Sequence, residues 1–195
     1  MSAQTMLIGN RPCRIYGEAH AEYLLLQMTG EHELQSMESE VAAIAQSAHH
    51  FLFAAIPVES WNDALSPWEA PAVWGKQGFG GKAADTLRFL TEQVMPTLKQ
   101  QFDLPENVKI ILGGYSLAGL FALWASTQTD LFYGIAAASP SVWFPGWMYS
   151  TRPWTTLPLP PRSRAHPLPT GRSALRCDGT RWPSGHPGCR PPRPE

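Results

Sequence analysis

Residues 109–124 read KIILGGYSLAGLFALW. Val108 to Leu112 is a run of strand type, and Leu117 to Ala125 is apolar on every side, as a helix enclosed by a sheet and its neighbours would be. Between them lies Gly113-Gly114-Tyr115-Ser116-Leu117-Ala118-Gly119. This junction predicts a sharp strand-to-helix turn with Ser116 at its apex. Such a turn strains the serine, lifts its hydroxyl clear of the sheet, and works only if the residues two before and two after are small. Gly114 and Ala118 meet that condition, so G-Y-S-L-A departs from the usual G-x-S-x-G by one methyl group. The N–H of Leu117, in the first helical turn, would face the same space, where backbone donors are unpaired and the helix dipole is positive. A turn that merely packs is the alternative. Phosphate binding fits less well, since there is no G-x-x-x-x-G-K-[ST] and the three glycines do not give G-x-G-x-x-G.

Working outward, Tyr23 to Met28 is a continuous apolar run closed by Thr29-Gly30, and Phe51 to Pro57 is another; both read as buried strands. Leu34, Met37, Val41, Ile44 and Ala48 form one helical stripe. Ala83, Leu87, Leu90, Val94, Leu98 and Phe102 form a second, with Pro96 expected to kink or stop it. Phe132 to Ala138 reads as a fourth strand, and a short strand near Cys13 to Gly17 is weakly indicated. Residues 59–81 carry Trp61, Trp68 and Trp74 among glycines and prolines and read as a long aromatic loop that shapes a pocket. Strands alternating with helices predict an α/β fold with a parallel sheet and right-handed crossovers. Ligands gather beyond the carboxyl ends of such strands, where Ser116 lies. The loop Met28-Thr29-Gly30-Glu31 is the candidate for a second backbone donor, from Gly30, completing an oxyanion hole with Leu117.

The 195 residues have a formal net charge of −1, but the charge is unevenly divided. Residues 1–150 hold seven Lys/Arg against fourteen Asp/Glu, whereas 151–195 hold eight Arg, no Lys and two acids. All eight Phe and all five Tyr precede position 151, while eleven of the nineteen Pro follow it. The expected organisation is a domain over 1–150 and a disordered Pro/Arg-rich tail over 151–195. No signal-peptide pattern opens the chain and no apolar run approaches a bilayer's width, so a cytoplasmic protein with no membrane partner is expected. Cys13, Cys177 and Cys189 lack zinc-type spacing, and His49-His50 directs its side chains to different faces, so no metal is expected.

Residues from about 20 to 149 resemble the α/β-hydrolase superfamily, and within it bacterial esterases of the enterochelin-esterase-like group. The resemblance is carried by residues 113–124, by Ala136-Ala137-Ala138-Ser139-Pro140-Ser141-Val142-Trp143-Phe144, and by Trp61-Asn62-Asp63-Ala64-Leu65-Ser66-Pro67-Trp68. It implies a three-layer fold, Ser116 as an acylated nucleophile with Gly114, Tyr115 and Ala118 forming its elbow, a small-molecule ester substrate, and no cofactor. Trp61 and Trp143 would then line the substrate pocket; as loop-anchoring aromatics they are equally well explained.

A serine hydroxyl needs a histidine to take its proton and an acid to orient that histidine, in the chain order Ser, Asp/Glu, His for this fold. Asp178 and His186 stand in that order but only seven residues separate them, too few for the intervening elements, and His166 has no better context. The sheet is therefore read as truncated at its C-terminal end and the enzyme as impaired. Arg, Pro and Gly without Lys, Ile, Val, Phe or Tyr is the composition of a G+C-rich frame translated out of register, the favoured reading of 151–195. A genuine polyproline arm is the other. With it goes the rival function, a non-enzymatic binding protein using loop 59–81 and the tail; nucleic acid is not an expected partner, and oligomeric state is not legible.

Overall fold

The computed structural model describes residues 3–30 and 33–149. The expectations for 151–195, namely the disordered tail, the truncation and the roles weighed for His166, Asp178 and His186, lie outside these residues.

The described residues form eight strands and five α-helices. Strands β1 (Gln4–Ile8) and β2 (Arg11–Gly17) form a hairpin. Its two turn residues, Gly9 and Asn10, both have positive φ, 52° and 66°, the backbone shape that matches the twist of paired strands. Only β2 is indicated in the sequence reading; the Gly-Asn pair between apolar runs was the overlooked signal for β1. Then follow β3 (Tyr23–Thr29), α1 (Met37–Ala45), β4 (Phe51–Pro57), α2 (Trp61–Leu65), β5 (Glu69–Ala70) and β6 (Phe79–Gly80). The aromatic stretch 59–81 is thus not a bare loop: it holds a helix and a two-strand ladder. Next come α3 (Ala83–Phe89), α4 (Met95–Gln101), β7 (Lys109–Tyr115), α5 (Leu117–Ser126) and β8 (Gly134–Ala138).

Helices α3 and α4 are joined by a π-helical turn, Leu90–Val94. Pro96 therefore neither stops nor breaks the helical stripe. It sits in the first turn of α4, where its missing N–H costs least, and the wider turn ahead of it makes room for the ring.

The main sheet has the order β1-β2-β4-β3-β7-β8. The four strands β4, β3, β7 and β8 are parallel, and the hairpin is antiparallel to them, so the sheet is mixed rather than wholly parallel. Its first face carries Leu24, Leu26, Met28, Leu52, Ile56 and Leu112, all at or near zero exposure, under α3, α4 and α5. On the second face α1 lays Met37 and Val41 over Tyr16, Phe51, Phe53 and Ala55. Beyond α1 that face continues as a groove of about 450 Å3 floored by Leu25, Ile111 and Ala136 and edged by Glu33 and Glu40. Strand β8 is the sheet edge among the described residues, and Ala136 and Ala138 on it are exposed.

Candidate active site

Ser116 links the end of β7 to the start of α5 at φ 56° and ψ −117°. A non-glycine residue avoids that region because Cβ crowds the neighbouring backbone, and holding it there costs about 1–3 kcal/mol. The turn is tight because its neighbours leave no spare volume. A Cβ placed on Gly114 would lie 2.5 Å from Cβ and 2.6 Å from the carbonyl carbon of Ala118. Glycine at 114 is what allows alanine at 118. A Cβ on Gly119 would lie 3.0 Å from the Gly114 carbonyl oxygen and 3.2 Å from Cα of Pro140, so the first turn of α5 is packed against both β7 and the chain after β8.

That following chain grips the serine from three directions. The N–H of Ser116 donates to the carbonyl of Ala138 at 3.0 Å, and its own carbonyl accepts the N–H of Ser141 at 3.0 Å and that of Leu120 at 3.1 Å. The Ser116 and Ser141 hydroxyls are 3.1 Å apart. Ser116 is half-buried, whereas Ser141 is 1% exposed. Sequence reasoning missed Ser141; the signal was Ser-Pro-Ser directly after the strand that neighbours the Ser116 strand.

Gly30 stands on the other side. The last paired residues of β3 and β7 are Gln27 and Gly113, and three steps further along each strand reach Gly30 and Ser116. The two are therefore level at the carboxyl ends of adjacent strands. Leu117 is the first residue of α5, where its N–H has no intrahelical acceptor. The N–H of Gly30 is engaged: it donates to Oε2 of Glu33 at 3.0 Å. Burial pushes the Glu33 carboxyl above its ordinary range; the Gly30 N–H pulls it back, and the charge of Glu40 adds to the rise. Glu40 in turn accepts a hydrogen bond from Nε2 of Gln27 at 3.1 Å.

Trp61 opens α2, is half-buried, and lies 3.6 Å from where a Gly30 Cβ would be. Trp143, 45% exposed, meets Trp74 edge-on with 4.5 Å between ring centroids and Phe79 at 6.2 Å. Trp68 donates its indole N–H to the Pro145 carbonyl at 2.9 Å and packs on Phe144. Aromatic contacts thus fasten the 61–80 segment to the chain that follows β8. Tyr115, in the elbow, is 57% exposed.

The sequence model of the Esterase family matches residues 29–176, a span that includes β3's end, the elbow and Ser141. The chain belongs to the esterase family. No curated protein matches it. Among solved structures, it is similar to the siderophore hydrolase EstA from Aspergillus nidulans, with 21% identity and a TM-score of 0.56 over 75% of this chain and 59% of that one. The enterochelin esterase from Shigella flexneri gives 18% and 0.57 over 74% and 38%. The enterobactin hydrolase IroE, solved as a complex with DFP, gives 18% and 0.53 over 76% and 66%. These likenesses establish the shared fold. The chain spans about three-fifths of the length of the first of these structures.

For an esterase-family chain the location of histidine matters. His20 precedes β3 and lies 3.3 Å from the Asp103 carboxylate, and His49 and His50 precede β4. Since β3, β4 and β7 are parallel, all three sit at the amino ends of the strands, opposite to Ser116. His32, His166 and His186 lie outside the described residues. No helix among the described residues is long and apolar enough to cross a membrane.

Proposed function

We propose that this esterase-family chain hydrolyses small carboxylic esters through an acyl-enzyme on Ser116. The observation that carries the reading is the backbone of Ser116 at φ 56° and ψ −117° between β7 and α5, a strained serine at the carboxyl edge of a parallel sheet beside the first-turn N–H of Leu117. In the first step Oγ attacks the ester carbonyl carbon, its proton leaves to a base, and the tetrahedral oxyanion takes hydrogen bonds from backbone N–H groups. Collapse expels the alcohol, which carries away a proton; water then attacks the acyl carbon and releases the acid. Leu117 is one proposed donor to the oxyanion. Gly30 is the other, and its use requires the Glu33 carboxylate to give up that N–H.

Trp61 on the Gly30 side and Trp143 on the Ser141 side are proposed walls for the acyl and alcohol groups. The similar structures are a siderophore hydrolase, an enterochelin esterase and an enterobactin hydrolase, which makes siderophore esters the first substrates to try. Turnover slow relative to an intact triad is part of the proposal, because Asp178 and His186 follow Ser116 in the right order but with only seven residues between them; positioning with backbone donors then supplies what rate there is. The test is labelling by a fluorophosphonate, with the modified peptide identified by mass spectrometry, alongside hydrolysis of short-chain and aromatic aryl esters. Modification at Ser116 and its loss in Ser116→Ala support the reading. Fast hydrolysis unchanged in Ser116→Ala overturns it.

A further inference from the structure

We infer that Ser141 is a positioning residue for the Ser116 hydroxyl, an inference that rests on the reading of Ser116 as nucleophile. Both hydroxyls are capable of donating across the 3.1 Å that separates them, and burial decides the direction. Ser141 is 1% exposed, and among the described residues its Oγ has Ser116 Oγ as its hydrogen-bond partner. Were Ser116 the donor, the Ser141 proton would be buried with no acceptor among the described residues, which costs more than the bond gains. Ser141 therefore donates, and Ser116 accepts.

Two consequences follow for the reacting oxygen. One lone pair of Ser116 Oγ is tied to a fixed donor, which restricts rotation about χ1 and leaves the Ser116 proton to point away from Ser141, toward the half-exposed side where a base or water has access. The same donor also stabilises negative charge as it grows on Oγ, before the bond to the acyl carbon has formed. The Ser141 N–H holds the Ser116 carbonyl at 3.0 Å, so backbone and side chain of one residue fix the elbow together. Pro140 stiffens the link, because its ring fixes φ just before Ser141, and the missing side chain of Gly119 lets Pro140 approach α5. This grip differs from the role of an oxyanion donor: it acts on the attacking oxygen, not on the carbonyl oxygen.

The experiment compares the full chain with Ser141→Ala, Ser141→Thr and Ser116→Ala. The second-order rate of phosphonylation by a fluorophosphonate is followed from pH 5 to 9; in that reaction Ser116 Oγ bonds to phosphorus, fluoride leaves, and the serine proton passes to solvent. Loss of one hydrogen bond to a developing charge predicts a rate about tenfold lower in Ser141→Ala, a pH profile displaced upward, and an unchanged thermal midpoint. Ser141→Thr, which keeps the hydroxyl, recovers most of the rate. Independently of reactivity, three-bond couplings read the χ1 of Ser116 by NMR: one rotamer in the parent chain, averaged in Ser141→Ala. A Ser141→Ala chain that is labelled as fast as the parent, or in which the Ser116 rotamer stays fixed, overturns the inference. A parent chain labelled at no serine overturns the hydrolase reading, while the rotamer measurement still decides whether Ser141 holds Ser116.

Discussion

At Ser116 the backbone and the side chain want different things. The hydroxyl is presented by a φ that glycine adopts freely and serine does not. Replacing Ser116 by glycine should therefore stabilise the fold by about 1 kcal/mol relative to Ser116→Ala, which keeps the strain, while both abolish labelling. Urea denaturation of the two variants measures the difference. Glu33 carries the opposite kind of tension. Its carboxyl is raised chiefly by burial, so the folded chain holds a proton to higher pH than the unfolded chain does. Stability is then fully expressed below the ordinary glutamate range and falls as pH rises through the elevated folded value. Glu33→Gln removes this dependence. The urea midpoint of Glu33→Gln should gain on that of the parent as pH rises from 4 to 7, and a constant or shrinking gap contradicts the burial of that charge.

The elbow as an element is a matter of clearance. Adding a methyl at 114 puts it 2.5–2.6 Å from Ala118 side-chain and backbone carbon, and α5 must shift to relieve it. Gly114→Ala should cost about 1–3 kcal/mol and slow labelling at Ser116. Ala118→Gly in the same chain should recover only part of this, because the 2.6 Å approach to the Ala118 carbonyl carbon persists. Thermal unfolding and labelling rates of the single and double variants check both statements. The elements most legible in the sequence were those that read as apolar runs: β4 is buried along nearly its whole length, β3 and α5 expose no residue, and β7 exposes Tyr115 alone. The β1 strand and α2 were illegible for a shared physical reason. Each is short and takes its stability from tertiary contacts, α2 from α3 and α5, so propensity and periodicity over a few residues carry little signal. Pro96 misled in another way: its local rule is sound, but a π turn one step earlier absorbs the ring.

Across the whole molecule, the candidate site was legible as a serine at a strand-to-helix turn and not as a network. Gly114, Ser116 and Ala118 are three alternate positions of one short stretch, whereas Ser141 and Glu33 reach the same place through strand pairing that no local pattern displays. The sheet also has an open side. Among the described residues no strand pairs with the outer edge of β8, and Ala136 is exposed on the apolar groove; such edges and faces associate. Concentration-dependent sedimentation is expected for the parent chain, and Ala136→Lys should reduce it without altering labelling at Ser116. On β2, one strand in from the opposite edge, Cys13 is fully buried and its thiol is pushed up to about 11 by burial, against the pull of Arg11. In a chain with Cys177 and Cys189 changed to serine, a thiol reagent at pH 8 should modify Cys13 only at the rate at which the hairpin opens, so that added urea accelerates it.

The separation of histidines from the elbow gives pH measurements unusual resolving power. His20, His49 and His50 lie at the far end of seven-residue strands, roughly 20 Å from the turn, more than twice the distance over which exposed charges are felt at physiological salt. Titrating them leaves Ser116 almost undisturbed. Any inflection in phosphonylation between pH 5 and 8 therefore announces an ionising group at the reactive end, either Glu33 on the Gly30 N–H or the acceptor of the serine proton, and Glu33→Gln tells the two apart.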